Sequence, residues 1–350
     1  LLGCGRISKN HLKSLADNND RCELVALCDN SHENIQSAYM FYKDYCNLKN
    51  IQFNKILLFS NYEKLLNAHI NEKLNLDLLS IATPSGLHYQ QTIAAASHKI
   101  NVCTEKPMAL KVEEAEEMIR VCNKNNVKLF EVKQNRLNPT LKLLRSKVKN
   151  NHFGQIAIVN LNLFWHRPQT YYDNDAWRGT INLDGGALMN QGIHYVDLLD
   201  WIIGPVESVF AHTAKISRDI EAEDSCVLNI KWRNGILGTM AVTMVTYPNN
   251  LEGSITIIGD KGTAKVGGKA LNKFEYYFFD NEQNEIDLDS INYQIKEVYG
   301  NGHNEYYSNM LDVLLENAKP ICTGKDGIES LKIINAAYLS SKSGNNIFIK

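Results

Sequence analysis

Leu1-Leu2-Gly3-Cys4-Gly5-Arg6-Ile7-Ser8 opens the chain, and further on the run Glu23-Leu24-Val25-Ala26-Leu27-Cys28 ends at Asp29. These two stretches decide how the fold is read. In the first, Gly3 permits a tight strand-to-helix turn, Gly5 lets the backbone approach a pyrophosphate, and the small Ser8 allows close helix–strand packing. The helix that follows, entered through Arg6 and Ile7, directs free N–H groups at the phosphates. Asp29 then stands at about the separation expected for the acid that accepts bonds from a ribose 2′- and 3′-hydroxyl. The sequence Asp29-Asn30-Ser31 offers no Arg to receive a 2′-phosphate, so NAD is favoured over NADP. The alternative is a coincidental glycine turn with a surface Asp; the strand–turn–helix context favours the cofactor loop. Because Leu1-Leu2-Gly3 reads as the end of a strand, we expect a few residues of that strand to precede Leu1.

Working outward, the first third alternates strand and helix. Leu76-Asp77-Leu78-Leu79-Ser80-Ile81-Ala82 is an apolar run stopped by Thr83-Pro84, and Ile100–Cys103 and Val127–Val132 follow at similar intervals. Helical patterns lie between them, at Leu87–Ser97 and Val112–Cys122. Apolar strands separated by helices predict a parallel sheet covered on both faces. After about Asn135 the texture changes. Ile156–Trp165, Ser225–Trp232, Ile236–Val245 and Gly253–Ile258 are strand-like, and turns at Arg233-Asn234-Gly235 and Asp260-Lys261-Gly262 join consecutive strands. This predicts a mostly antiparallel sheet, interrupted by one strong helix at Ala187–Ile203 and closed by two more near 303–317 and 327–341. The segment Phe41–Phe59 carries no clear pattern. A chain of 350 residues is too long for most single cores. The expectation is an α/β protein: an NAD-binding Rossmann domain at 1–134 and an α+β domain at 135–350.

Composition narrows the partners. Hydrophobic residues make up 44% and charged residues 22%, the formal net charge is -2, and no stretch concentrates Lys or Arg. A nucleic-acid surface normally shows as a basic stripe, so none is expected. No apolar run reaches bilayer-spanning length and no signal peptide is recognisable, so no membrane association is expected. The eight cysteines form no Cys-x-x-Cys pair and read as buried thiols of a cytoplasmic protein.

Three clusters carry chemistry. Thr83-Pro84-Ser85-Gly86-Leu87-His88 stands at the carboxyl end of a strand, where ligands of open α/β sheets bind. Glu105-Lys106-Pro107 ends the next strand. Far along lies Asp184-Gly185-Gly186-Ala187-Leu188-Met189-Asn190-Gln191-Gly192-Ile193-His194-Tyr195-Val196-Asp197. On one regular helix, Asn190, His194 and Asp197 share a face. His194 and Asp197 have metal-ligand spacing, but no third and fourth ligand presents itself, so no metal is expected.

The order GxGxxS, an Asp after the second strand, TPSGLH, EKP and GGxLxxxGxHxxD resembles the glucose–fructose oxidoreductase / inositol dehydrogenase superfamily over nearly the whole chain. Lys133-Gln134-Asn135-Arg136, the stretch Tyr171–Thr180, Met189-Asn190-Gln191 and Asp219–Asp224 are similar to one branch of it. That branch oxidises the 3′-hydroxyl of UDP-N-acetylglucosaminuronic acid in O-antigen sugar biosynthesis. The resemblance implies a Rossmann domain followed by a domain whose large open sheet mediates assembly, as a homodimer or homotetramer. It implies cofactor contacts from Gly3, Gly5, Arg6, Ile7, Asp29, Asn30, Thr83, Pro84, His88, Glu105, Lys106 and Gln134, and it places Lys106 and His194 beside the nicotinamide and the reacting carbon.

The residue types suit that chemistry. Oxidation of a secondary alcohol needs a hydride acceptor and removal of the hydroxyl proton. A lysine can donate a hydrogen bond to the developing alkoxide, or act as base if its pKa is lowered. Burial and a nicotinamide cation would lower it, and Glu105 would oppose this if close. Many relatives carry Asp four residues before the histidine, where this chain has Asn190. We therefore expect His194 to be the weaker base, positioning the hydroxyl while Lys106 takes more of the proton transfer, although either can serve. A uronate and a pyrophosphate call for cationic or amide donors, and Asn135, Arg136, Arg167, Arg178, Asn190 and Gln191 are the candidates, with Tyr171 and Tyr172 flanking uridine or sugar. For each, a salt bridge or a core position is the alternative. Glu223 and Asp224 are expected to shape a strand edge. The rival functions are another sugar or inositol dehydrogenase of the superfamily, and a non-catalytic dinucleotide-binding regulator.

Overall fold

A computed structural model gives the structure of the chain and describes residues 1–268, 270–280, 287–294 and 302–349. The chain forms two compact units, Leu1–Lys133 with His303–Ile328, and Gln134–Gly302 with Glu329–Lys350. Thus 303–328, expected with the later part of the chain, groups with the first.

In the first unit the sheet is parallel, in the order Leu57–Phe59, Ala26–Cys28, the single bridging residue Leu2, Leu78–Ile81, Asn101–Thr104 and Leu129–Glu131. Leu2 bridges both Cys28 and Ile81, which puts the opening turn at the centre of the sheet. Ala26, Leu27 and Cys28 are all buried, as expected of a strand covered on both faces. The helices are built for that cover. Val112–Lys124 buries Ala115, Met118, Val121 and Cys122 along one stripe, with Glu113 and Glu114 in its first turn and Lys124 in its last. The unpatterned segment 41–59 contains the end of the helix His32–Leu48 and the short strand Leu57–Phe59, too brief to show a period.

In the second unit eight strands form one sheet, ordered Lys273–Phe279, Gly262–Gly267, Glu252–Gly259, Ile156–Phe164, Leu237–Thr243, Ser225–Trp232, Val206–Ala214 and Ile347–Phe348. Every pairing is antiparallel except that of Ile156–Phe164 with Leu237–Thr243. Along Ser225–Trp232, Cys226, Leu228, Ile230 and Trp232 are buried while Val227, Asn229 and Lys231 are exposed, so one face of the sheet is covered and the other open. The helix expected over 187–203 forms with one departure. Leu188–Gly192 is a π-helical turn, and the α-helix proper is Ile193–Ile203, stopped at Gly204 with φ 115°.

Candidate active site

The opening turn is closed by sterics. Gly3 has φ +93°, and a Cβ there would lie 2.5 Å from the carbonyl carbon and oxygen of Ala82. Only glycine tolerates both that conformation and that approach. At Gly5 a Cβ would meet nothing within 4 Å, so the turn faces open space. The helix Ser8–Asp17 begins with no side-chain cap at Ile7 and no acid in its first turn, leaving its positive end unanswered by a side chain. Buried Ser8 donates from Oγ to the Gly5 carbonyl at 2.6 Å and tightens the turn. Asp29 is fixed from both oxygens. Oδ2 accepts the Cys4 N–H at 2.7 Å and Oδ1 accepts the Ser31 N–H at 2.8 Å, and a carboxylate so held keeps further lone pairs for hydroxyl donors. Arg6 and Asn30 are exposed beside it.

The Thr83 and Lys106 loops are tied together from behind. His88 is buried, with Nδ1 2.8 Å from the Pro107 carbonyl and Nε2 2.9 Å from the Thr83 carbonyl, and burial lowers its pKa. The structure therefore places His88 as a brace between two loops. Glu105 likewise turns inward. Its Oε1 accepts from His11 Nε2 at 3.0 Å and faces His303 Nε2 at 3.7 Å, while Oε2 accepts the Lys106 N–H at 3.3 Å. Burial pushes the Glu105 carboxyl up, but the hydrogen bond from His11 and the nearby His303 ring outweigh it and hold Glu105 well below the usual carboxylate range. Burial also drives His11 down, so a neutral ring donating Nε2–H meets both requirements. Behind it, His11 Nδ1 lies 2.6 Å from the Tyr307 hydroxyl, itself 2.9 Å from Ser80 Oγ. On the other side of Lys106, the Met108 N–H reaches Glu131 Oε1 at 3.1 Å, and Lys133 Nζ stands 3.2 Å from the same oxygen. Half-buried Lys106 thus sits between two anchored flanks.

In the second unit, the π-turn Leu188–Gly192 carries Asn190 and runs directly into the α-helix that carries His194. Asn190 Nδ2 donates to Asp184 Oδ1, and Asp184 Oδ2 accepts the Gly179 N–H at 2.6 Å. His194 and Gln191 are buried. Asp197 accepts from Arg136 through Nε at 2.9 Å and Nη2 at 2.8 Å, both residues being buried. The salt-bridge alternative therefore describes Arg136, which holds Asp197 in a bidentate pair. Gln134, also buried, has no partner for its side-chain oxygen among the described residues, and Asn135 is half-buried beside it. Arg167 and Arg178 come together across Tyr171, with guanidinium carbons 5.3 Å and 4.3 Å from its ring. Arg178 donates to Asp175 Oδ2 at 2.7 Å and to the Tyr171 hydroxyl. Tyr172 and Arg178 line a groove of about 400 Å³ with Gly179, Lys215, Ile220 and Glu221. Asp224 accepts the N–H groups of Ile216, Ser217 and Arg218 and shapes the loop beneath that groove. Among the described residues no group of three His, Cys, Asp or Glu side chains could hold a metal ion, and no helix is long and apolar enough to cross a membrane.

Residues 1–133 match the family described as "Oxidoreductase family, NAD-binding Rossmann fold", and residues 145–349 match its "C-terminal alpha/beta domain". The chain belongs to the GFO/IDH/MocA oxidoreductase family. Two solved members, WlbA dehydrogenases in complex with NADH and UDP-GlcNAcA, are similar along their whole length. That from Bordetella pertussis is 44% identical with a TM-score of 0.89, covering 100% of this chain and 96% of that one. That from Chromobacterium violaceum is 42% identical with a TM-score of 0.86, covering 100% and 94%. A more distant relative, D-apiose dehydrogenase of Paraburkholderia graminis, is 22% identical over 100% of this chain and 89% of its own.

As a member of the GFO/IDH/MocA family the chain is an NAD-dependent oxidoreductase, and its first unit fits the cofactor: open space at Gly5, an uncapped helix start and a fixed Asp29. Sequence reasoning did not mark His11, Glu131, His303 or Tyr307. They answer to no local motif in the sequence.

Proposed function

We propose that the chain catalyses NAD-dependent oxidation of the 3′-hydroxyl of UDP-N-acetylglucosaminuronic acid to the 3-keto sugar, in cytoplasmic synthesis of O-antigen sugars. The observation that carries this reading is full-length similarity, at 44% and 42% identity, to two dehydrogenases whose structures hold NADH and UDP-GlcNAcA. Eight free cysteines fit a reducing compartment.

In this reading residues 1–134 bind the cofactor through Gly3, Gly5, Arg6, Ile7, Asp29, Asn30, Thr83 and Pro84, with Gln134 offering its buried side-chain oxygen. NAD, when bound, supplies the hydride acceptor. The chain's own part is to hold the sugar and manage one proton. Lys106 donates a hydrogen bond to the oxygen on which charge develops, or takes its proton, and the anchored flanks at Glu105 and Met108 limit the search for that geometry. His194 orients the hydroxyl, and Asn190, held by Asp184, brings no charge of its own to the histidine. Arg167, Arg178, Tyr172, Asn135 and Gln191 are assigned to the nucleotide and uronate, within residues 135–350. Assembly into a homodimer or homotetramer through the open sheet completes the proposal.

The test follows NADH formation and thermal stabilisation with UDP-N-acetylglucosaminuronate, UDP-N-acetylglucosamine and free inositol. Turnover and stabilisation by the uronate alone support the reading, because a ligand that binds only the folded state raises its apparent stability. Turnover of inositol in place of the uronate would overturn it.

A further inference from the structure

We propose that Glu223 and Tyr338 are positioning residues for the reaction, together fixing the π-turn that carries Asn190 and leads into His194, and that this fixing depends on the Glu223 carboxyl keeping its proton. The inference rests on the assignment of His194 to the reacting site.

Glu223 is buried just before the strand Ser225–Trp232, and Tyr338 comes from the helix Gly324–Ser343. The Leu188 N–H, where the π-turn starts, donates to Glu223 Oε1 at 2.8 Å, and the Ala187 N–H donates to the Glu223 carbonyl at 3.0 Å. Gly186, with φ +93°, runs so close that a Cβ there would lie 2.0 Å from Glu223 Oε2. The carboxyl therefore fills the room at the head of the turn and has little freedom to move.

Counting protons gives the device its sense. The Tyr338 hydroxyl lies 2.6 Å from the Gly185 carbonyl and 3.0 Å from Glu223 Oε1. It has one proton to donate and two acceptors facing it. A protonated Glu223 resolves the conflict, since its O–H donates to the Tyr338 oxygen while Tyr338 donates to Gly185. Ionisation leaves the Tyr338 proton contested. If it turns to the carboxylate, the Gly185 carbonyl faces a bare oxygen, and the Gly185-Gly186 turn loses its anchor.

The surroundings favour the neutral form. Burial pushes Glu223 up to about 7, against the lowering effect of its bonds to Leu188 and Tyr338, with nearby Asp184 pushing the same way as burial. The titratable groups around it are Asp184 from the preceding turn, its chain neighbour Asp224, Cys226 on the strand Ser225–Trp232 that follows, and Tyr338, whose hydroxyl burial keeps protonated. The helix dipole acts in the opposite sense, favouring an anion at this end.

The test compares pH profiles of kcat and KM from pH 6 to 9 for the wild type, E223Q, Y338F and H194N, with difference infrared spectra alongside. The amide oxygen of E223Q, standing where Oε1 accepts from Leu188, carries no charge at any pH and competes less than a carboxylate for the Tyr338 proton. E223Q is therefore expected to keep wild-type kcat at pH 6 and to lose the alkaline decline near 7 that the wild type shows. Y338F should lower kcat roughly tenfold at pH 6 with KM little changed, the cost of a misplaced reacting group. At pH 6 the wild type should show the carbonyl band of a buried protonated carboxyl, missing in E223Q. An unchanged alkaline limb in E223Q, wild-type kinetics in Y338F, or absence of that band overturns the inference. H194N separates the two readings: full activity there overturns the assignment of His194, whereas the infrared band reports on Glu223 alone.

Discussion

Lys106 and Asn190 divide the chemistry at the residue scale. The backbone on both sides of Lys106 is anchored by buried carboxylates, Glu105 through the Lys106 N–H and Glu131 through the Met108 N–H, so removing the ammonium should alter chemistry more than structure. K106M is expected to lower kcat by roughly 10²–10⁴-fold while NADH binding, followed by fluorescence titration, stays within about threefold of wild type. Loss of cofactor binding together with kcat would show the lysine to be structural. At Asn190 the partner is the Asp184 carboxylate, so N190D sets two carboxyls against each other and raises the pKa of one. If Lys106 carries most of the proton transfer, N190D should add a new ionisation to the pH–rate profile; an unchanged profile counts against that division. Glu223 gives a pH effect on stability as well. Its folded pKa of about 7 lies above the ordinary 4.5, so between these values the folded chain holds a proton that the unfolded chain releases. Its contribution is full below pH 4.5 and is lost as pH rises towards 7, by on the order of 3 kcal/mol. Glu105, held below its ordinary value, acts in the opposite sense, its contribution being lost as pH falls. Urea titrations at pH 5 and 7.5 should show the wild type losing stability between them and E223Q losing less.

At the scale of elements, the turns that begin the helices Ser8–Asp17 and Ile193–Ile203 explain what was legible. The Gly3–Ser8 turn and Asp29 could be read because every constraint on them lies within one strand–turn–helix–strand unit: Gly3 against the next strand, Ser8 on Gly5, Asp29 across the mouth. The helix of Asn190 and His194 was legible as a helix but not in its pitch. Its apolar period matches a regular helix, whereas the π-turn is set by Glu223 and Tyr338, far away in the chain. The same limit hid the Glu105–His11–Tyr307 chain, whose members are far apart in sequence and meet only because 303–328 groups with the first unit. Arg136 illustrates the converse: its type suits a substrate anion, but Asp197 at bidentate distance is its partner. A prediction belongs to the π-turn. Gly186→Ala imposes a side chain at φ +93° and a Cβ 2.0 Å from a buried carboxyl oxygen, so Glu223 must move and the Leu188 bond with it. G186A should cost about 2–4 kcal/mol of unfolding free energy by urea titration. G3A should cost a similar amount and abolish NADH binding as well, because it displaces the cofactor turn. Equal effects of the two on cofactor binding would refute the separation of roles.

At the scale of the whole molecule, the open face of the eight-stranded sheet asks for a partner. Register places Lys231, Leu237, Ile158, Ile258, Thr263 and Phe278 in one cross-strand row. Leu237 is 56% exposed, Ile158 48%, Ile258 43% and Phe278 66%, an apolar ridge of the kind that single soluble chains rarely leave in water. Several polar groups of the same face are already partnered within the sheet. Asn160 Nδ2 donates to Thr239 Oγ1 at 2.7 Å, and Lys265 stands 3.2 Å from both Glu252 and Glu275. Covering this face with a second copy would therefore bury few unmatched charges, and the ridge would supply the hydrophobic term. Because paired strands put these side chains on one surface, a charge at the centre of the row should be felt across the interface. Leu237→Lys is expected to shift the protein to a smaller species in light scattering at micromolar concentration, with unchanged far-UV circular dichroism and intact NADH binding. The isosteric L237M should leave assembly as it is. A wild type that runs as a single chain, or an L237K variant that assembles normally, would mean that the sheet is not the assembly surface, and the ridge would then need another occupant.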